Sequence, residues 1–257
     1  MRLLFIRHGD PDYVNDTLTE KGHREAALLA KQAPRMNMGT CYVSPLGRAQ
    51  ATAAYSLEKL GVTARTLEWL QEFPAQVDLN GCEDLRAAFP AARRKDGIYL
   101  PRIPWDMVPS YWAEHGECMD ARIWRNSEVC RHSDVIQVYD HVTEEFDKLL
   151  AEHGYIREGA CYRVEKESTE TLTFFCHFGI TCVFLSHLWN LSPFMLWHSF
   201  ALAPTSVTET VTEERQQGTA YFRGLRVGDV SHLAMGAEPV SFAARFCEVY
   251  SDTEHIH

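Results

Sequence analysis

Apolar runs of strand length alternate with stretches of helical period along most of this chain. Residues 2–6, RLLFI, make a first strand, and Cys41-Tyr42-Val43 a second. Residues 62–70, VTARTLEWL, read as a third and residues 171–176, TLTFFC, as a fourth. The last is apolar on both faces towards its end, as a central strand of a parallel sheet requires. Helices fall between them. One opens after Thr19 as N-cap and runs through EKGHREAALLAKQA. A second is expected to start with Ser44 as N-cap and Pro45 at its first position, and to stop at Gly61. A third spans 133–153, capped by Ser133 or Asp134. It carries Val135, Val138, Tyr139, Val142, Phe146, Leu149 and Leu150 on one face, and Gly154 ends it. Gly179 to Asn190 reads as another helix, and 205–212 and 219–225 as further strands. Alternation of this kind predicts an α/β fold, a three-layer sandwich with a mostly parallel central sheet.

Residues 74–132 break the rhythm. Five of the eleven prolines and three of the six tryptophans lie there, with the cluster Arg93-Arg94-Lys95 and no long periodic element. The segment reads as an inserted lid or cap within a single domain spanning 1–257.

Composition narrows the choices. The chain is 46% hydrophobic and 23% charged, which supplies a core and excludes global disorder. A net charge of −10 argues against a nucleic-acid partner, which would demand a basic face. Eight cysteines, at 41, 82, 118, 130, 161, 176, 182 and 247, form no CxxC pair and read as reduced thiols of a cytoplasmic protein. His115-x2-Cys118 and Cys130-x-His132 lack zinc-site spacing, so no metal is expected. Met1–Ile6 is too short for a signal peptide. No Asp, Glu, Lys or Arg occurs from Thr171 to Thr208, but Gly179, Pro193, Pro204 and several histidines interrupt the run. A membrane span wants about 20 continuous apolar residues. No membrane partner is expected.

The reactive residues sit at comparable places. Arg7 and His8 close the first strand, Arg48 lies one turn into the helix after the second, Glu72 follows the third, and His177 follows the fourth. Parallel strands bring their carboxyl ends to one edge, where open α/β sheets bind ligands. Two guanidiniums suit a tetrahedral oxyanion, above all phosphate. A histidine uncharged near neutral pH is a nucleophile, and a carboxyl group can protonate a leaving alkoxide. Taken singly, each residue also has a structural reading. Arg48 would be a solvated helix residue and His177 a bonded core histidine, and Glu68 rivals Glu72.

Together, Arg7-His8-Gly9, Leu18-Thr19-Glu20-Lys21-Gly22, Ser44-Pro45-Leu46-Gly47-Arg48-Ala49 with Thr52-Ala53, Leu70-Gln71-Glu72, and Phe175-Cys176-His177-Phe178-Gly179 resemble, in order, the motifs of the histidine phosphatase superfamily. That superfamily includes the cofactor-dependent phosphoglycerate mutases. The resemblance covers about 1–73 and 134–232. It implies His8 as the phosphorylated nucleophile, and Arg7, Arg48 and His177 as phosphate ligands. His177 would also stabilise charge in the transition state, and Glu72 would serve as general acid, then base. It implies no cofactor and no metal, a small phosphorylated metabolite as partner, and a monomer or homodimer. Asp10-Pro11 stands where the family often has Glu-Thr, Asn15 is one place late for a phosphate contact, and Phe178 separates His177 from Gly179. A Trp-rich sugar-phosphate loop is missing, which favours a hydrolase over a mutase. The alternatives are a phosphoglycerate-type mutase and a non-catalytic phospho-ligand-binding module. The insertion, with Trp105, Tyr111, Trp112, Trp124 and Arg93, Arg94, Lys95 or Arg102, is where substrate choice is expected.

Overall fold

Strand β1 (Arg2–Arg7) feeds two cores at once. Leu3 and Phe5 join one buried apolar cluster and Leu4 and Ile6 another, as period-two alternation across a covered sheet requires. The computed structural model describes residues 1–241, 243, 248–252 and 255. Seven further strands extend the sheet. They are β2 (Thr40–Val43), β3 (Ala64–Thr66), β4 (Tyr155–Glu158), β5 (Cys161–Val164), β6 (Thr171–Cys176), β7 (Val207–Gln216) and β8 (Thr219–Asp229). The order is β3-β2-β6-β1-β7-β8-β5-β4. The first four strands of that order are mutually parallel, and the remainder are added antiparallel. The parallel half carries the residues at issue.

Helices α1 (Glu20–Met36) and α2 (Gly47–Leu60) are on the Leu4–Ile6 side, where Leu29, Ala33, Ala49 and Ala53 are buried. Helices α3 (Val135–Glu152) and α4 (Phe178–Trp189) cover the other face, followed by α5 (Pro193–Ser199). The structure is thus three-layered, with helices on both faces of the sheet. Thr19 caps α1 by accepting the Gly22 N–H. Helix α4 is buried nearly all round, so it is apolar throughout rather than striped.

Two expectations are corrected, and two strands went unrecognised. Helix α2 starts at Gly47 with Leu46 as N-cap, so Ser44 and Pro45 precede the helix. The Ser44 hydroxyl is occupied elsewhere, as described below. The run 62–70 is a strand only at Ala64–Thr66; Glu68–Leu70 then turns as a 3-10 helix. Strands β4 and β5, short and partly polar, gave no alternating signal.

Segment 74–132 contains short helices at Glu83–Ala88, Pro109–Glu114 and Glu128–Arg131 and a small hairpin at Arg94–Tyr99. Val77, Leu85, Phe89, Tyr111, Trp124 and Val129 belong to the same buried cluster as Phe146 and Phe184. Among the described residues no helix is long and apolar enough to cross a membrane. Seven cysteines are free thiols; Cys247 lies outside the described residues.

Candidate active site

Backbone pairing aims the end of β1. Arg7 is in register with Cys176 of β6, the His8 N–H donates to the Cys176 carbonyl at 3.0 Å, and the His8 carbonyl accepts from Thr205 N–H at 3.1 Å. His177 follows one residue later on the neighbouring strand. The two imidazoles therefore meet, with ring centroids 5.0 Å apart, 2% and 0% exposed. Gly9 and Gly22 pack backbone to backbone: a Cβ on Gly9 would lie 2.8 Å from the Gly22 carbonyl oxygen. That approach brings α1 against the strand end. The Gly9 N–H donates to Thr52 Oγ1 at 2.9 Å, which ties the strand end to α2 as well.

Each ring is held by one nitrogen. His8 Nδ1 is 2.7 Å from the Gly9 carbonyl, so it carries the proton and leaves Nε2 with its lone pair. His177 Nε2 is 2.7 Å from Ser44 Oγ, and His177 Nδ1 is buried with no partner among the described residues. Burial holds His8 well below its ordinary pKa, and Arg7 and Arg48 add to the effect. Burial does the same to His177, reinforced by His8 and both arginines. Both rings are therefore neutral near pH 7.

Arg7 is 3% exposed and donates from Nη1 to the Leu202 carbonyl. Burial pulls its pKa down, opposed by the Tyr13 hydroxyl and by Glu72. Arg48 Nη1 meets Asp16 Oδ1 at 2.6 Å. The Nε atoms of both arginines are buried without a partner among the described residues. Two guanidinium nitrogens and one imidazole nitrogen on residues close to His8 thus have unused hydrogen-bonding capacity. Buried donors are rarely left so, because each costs about 1–3 kcal/mol when unpaired.

Glu72 and its rival separate cleanly. Glu68 is exposed on the 3-10 turn. Glu72 Oε1 accepts from Phe73 N–H at 2.9 Å and Ile180 N–H at 3.1 Å, which seats it at the start of α4. Burial nevertheless raises its pKa, against those amides and Arg7. Trp105, from the 74–132 segment, lies beside it: a Cβ on Gly179 would be 2.5 Å from the indole and 2.8 Å from Glu72 Oε1. Only glycine lets the indole and the carboxyl group approach the same helix start.

The pattern of the histidine phosphatase superfamily (branch 1) matches residues 3–133, about half of the chain. The chain belongs to the histidine phosphatase superfamily. Solved structures agree on the fold. A mycobacterial glucosyl-3-phosphoglycerate phosphatase with inorganic phosphate is similar at a TM-score of 0.57 and 17% identity, over 90% of this chain and 98% of that one. A phosphoserine phosphatase from Entamoeba histolytica, bound to phosphoserine, gives 0.53 and 19%, over 90% and 98%. A protein described as mycobacterial hydrolase 1 gives 0.56 and 17%, over 89% and 98%. No curated protein matches the sequence.

Other residues singled out in the sequence fall away from the cluster. Asn15 donates its side-chain amide to Asp12 at 2.7 Å and serves the turn. Asp10 accepts from Thr19 Oγ1 at 2.6 Å and from Ser241, so it ties loops together. Trp124 and Tyr111 are core, Arg102 pairs with Asp106, and Arg93, Arg94 and Lys95 are exposed. His115, Cys118, Cys130 and His132 do not assemble. Among the described residues a different trio, Cys82, Glu128 and His132, has donor atoms within 4.8 Å of one another. The hydrogen bond between Glu128 and His132, four residues apart, accounts for its closest contact.

Sequence reasoning missed Ser44, Tyr13 and Asp16. Ser44 could have been found from strand adjacency: β2 pairs with β6, Val43 opposite Phe175, so the next residues stand near His177.

Proposed function

We propose that this protein hydrolyses a small phosphomonoester through a phosphohistidine, without a metal in the chemical step. The observation that carries the reading is the set of buried donors without partners, Arg7 Nε, Arg48 Nε and His177 Nδ1, around a neutral His8 with Nε2 free. A phosphoryl group would accept from all three. His8 Nε2 attacks phosphorus, and the P–O bond to the leaving alkoxide breaks as Glu72 gives it a proton. Water then attacks the phosphohistidine, Glu72 takes back a proton, and the P–N bond breaks to release phosphate. Charge on the equatorial oxygens is met by preorganised donors.

The similar structures named for phosphoserine and glucosyl-3-phosphoglycerate hydrolysis favour a phosphatase over a mutase. Residues 74–132 place Trp105 beside the acid, and this segment is where the organic part of the substrate would be chosen. The test is turnover of para-nitrophenyl phosphate with and without chelator, together with trapping of labelled phosphate on the protein. Chelator-insensitive turnover and an acid-labile, base-stable label that His8→Ala removes are expected. Full activity in His8→Ala would sink the mechanism. A panel of phosphorylated metabolites then identifies the substrate.

A further inference from the structure

Residues 12–16 form a tight turn beside the two arginines. Asp12 Oδ1 accepts from Val14 N–H at 3.0 Å and Asn15 N–H at 3.2 Å. Asp16 follows with a left-handed φ of 48°. Its carboxylate is shared: Oδ1 takes Arg48 Nη1 at 2.6 Å, while Oδ2 takes the Gly47 N–H, also at 2.6 Å. Gly47 is the first residue of α2 and Arg48 the second. Tyr13 closes the other side. Its ring centroid is 5.4 Å from the Arg48 guanidinium carbon, and Tyr13 is among the groups that oppose the lowering of the Arg7 pKa.

We propose that Asp16 is a positioning residue for Arg48, fixing one edge of the guanidinium so that the Nε edge is presented to the phosphoryl group. This rests on the reading of Arg48 as a phosphate ligand. An arginine stem has many rotamers, and a charge-assisted bond at a fixed carboxylate selects one before substrate arrives. The opposite role can also be stated. A carboxylate beside a phosphate site could act as an internal competitor that substrate must expel. The Gly47 bond argues against that, because it holds the carboxylate on α2 independently of Arg48. The two roles differ in sign. Loss of a positioning carboxylate weakens phosphate binding, whereas loss of a competing one strengthens it.

The experiment is calorimetric titration with inorganic phosphate of the wild type, Asp16→Asn, Asp16→Glu, Arg48→Ala and the Asp16→Asn/Arg48→Ala double variant, each checked for folding by thermal melt. Asp16→Asn is expected to weaken phosphate binding about tenfold, the scale of one charge-assisted bond. Asp16→Glu should recover part of the loss, and Asp16→Asn should cost nothing further on Arg48→Ala. Unchanged or tighter binding by folded Asp16→Asn overturns the proposal, as does an equal loss on both backgrounds, which would mark a merely structural role. Should Asp16→Asn fail to fold, Asp16→Glu carries the test, with an intermediate loss expected and unchanged affinity overturning. A wild type that binds phosphate but turns over no ester would sink the phosphatase reading alone, leaving the binding test of Asp16 intact.

Discussion

Ser44 Oγ lies 2.7 Å from His177 Nε2, and this contact decides which imidazole nitrogen faces the candidate site. The same hydroxyl accepts the Leu46 N–H at 3.2 Å, so its own proton is free to go to His177. With the hydroxyl donating to Nε2, a neutral His177 carries its proton on Nδ1, the nitrogen without a partner among the described residues. The hydroxyl thereby sets the tautomer of a ring that would donate to phosphate.

Ser44→Ala should therefore leave His177 free to turn or to change tautomer. The expected result is a loss of about 1–2 kcal/mol of transition-state stabilisation, close to tenfold in kcat/KM. Steady-state kinetics on para-nitrophenyl phosphate reads it directly. An unchanged kcat/KM would show that Ser44 does not govern His177.

Glu72 is the group whose importance should depend on the substrate. Nitrophenolate departs without a proton, whereas an alkoxide needs one. Glu72→Gln is expected to cost little in the first step with an aryl ester, and about 10²–10⁴-fold with an alkyl phosphate. Comparing single-turnover rates on the two esters checks this. Equal losses on both would remove Glu72 from the role of acid.

Much of this arrangement was legible in the chain, and the part that was not has a physical cause. Arg7, His8, Arg48, Glu72 and His177 each follow an apolar run or open the helix after one, and parallel pairing carries strand ends to a common edge. Ser44 was legible only as a helix cap, because a serine before a proline after a strand also fits that local pattern. Its partner lies 133 residues away. Tyr13 and Asp16 sit in a turn without periodicity, so nothing local announces that Asp16 reaches Arg48. Strands β4 and β5 escaped notice because YIRE and CYRV are short and pair at the far edge of the sheet, with polar residues facing out.

The buried histidines and Glu25 should pull stability in opposite directions with pH. Burial, with Arg7 and Arg48 nearby, lowers His8, and burial, with His8 and the arginines, lowers His177, both well below 6.5. An unfolded chain takes up protons there that the folded chain refuses. Stability is therefore lost as pH falls through 6.5, and is unaffected by these rings above it. Glu25 is 0% exposed on α1, accepts the Asp10 N–H at 2.8 Å, and is raised by burial from 4.5 to about 7. The folded chain keeps that proton while the unfolded chain releases it, so stability is lost as pH rises from 4.5 to about 7. Glu25→Gln keeps an acceptor for Asp10 and removes the titration. Its Tm should exceed that of the wild type at pH 8 and converge with it near pH 5. Parallel curves across that range would show that Glu25 does not titrate as its burial implies.

Gly179 offers the sharpest steric prediction. Added to this helix start, a methyl group would meet Trp105 at 2.5 Å and Glu72 Oε1 at 2.8 Å. Gly179→Ala should destabilise the fold by about 1–3 kcal/mol, the usual cost of overpacking. It should also displace the acid. Trp105→Ala in the same chain would clear the indole but not the carboxyl group. The double variant is therefore expected to regain thermal stability while activity on an alkyl phosphate stays low. Recovery of both would mean that the indole alone fills the space and that Glu72 can shift at no cost. Recovery of neither would mean that the methyl group is resisted by the Glu72 side of the site alone. The split between melting temperature and turnover thus separates the packing of Trp105 on Gly179 from the seating of Glu72.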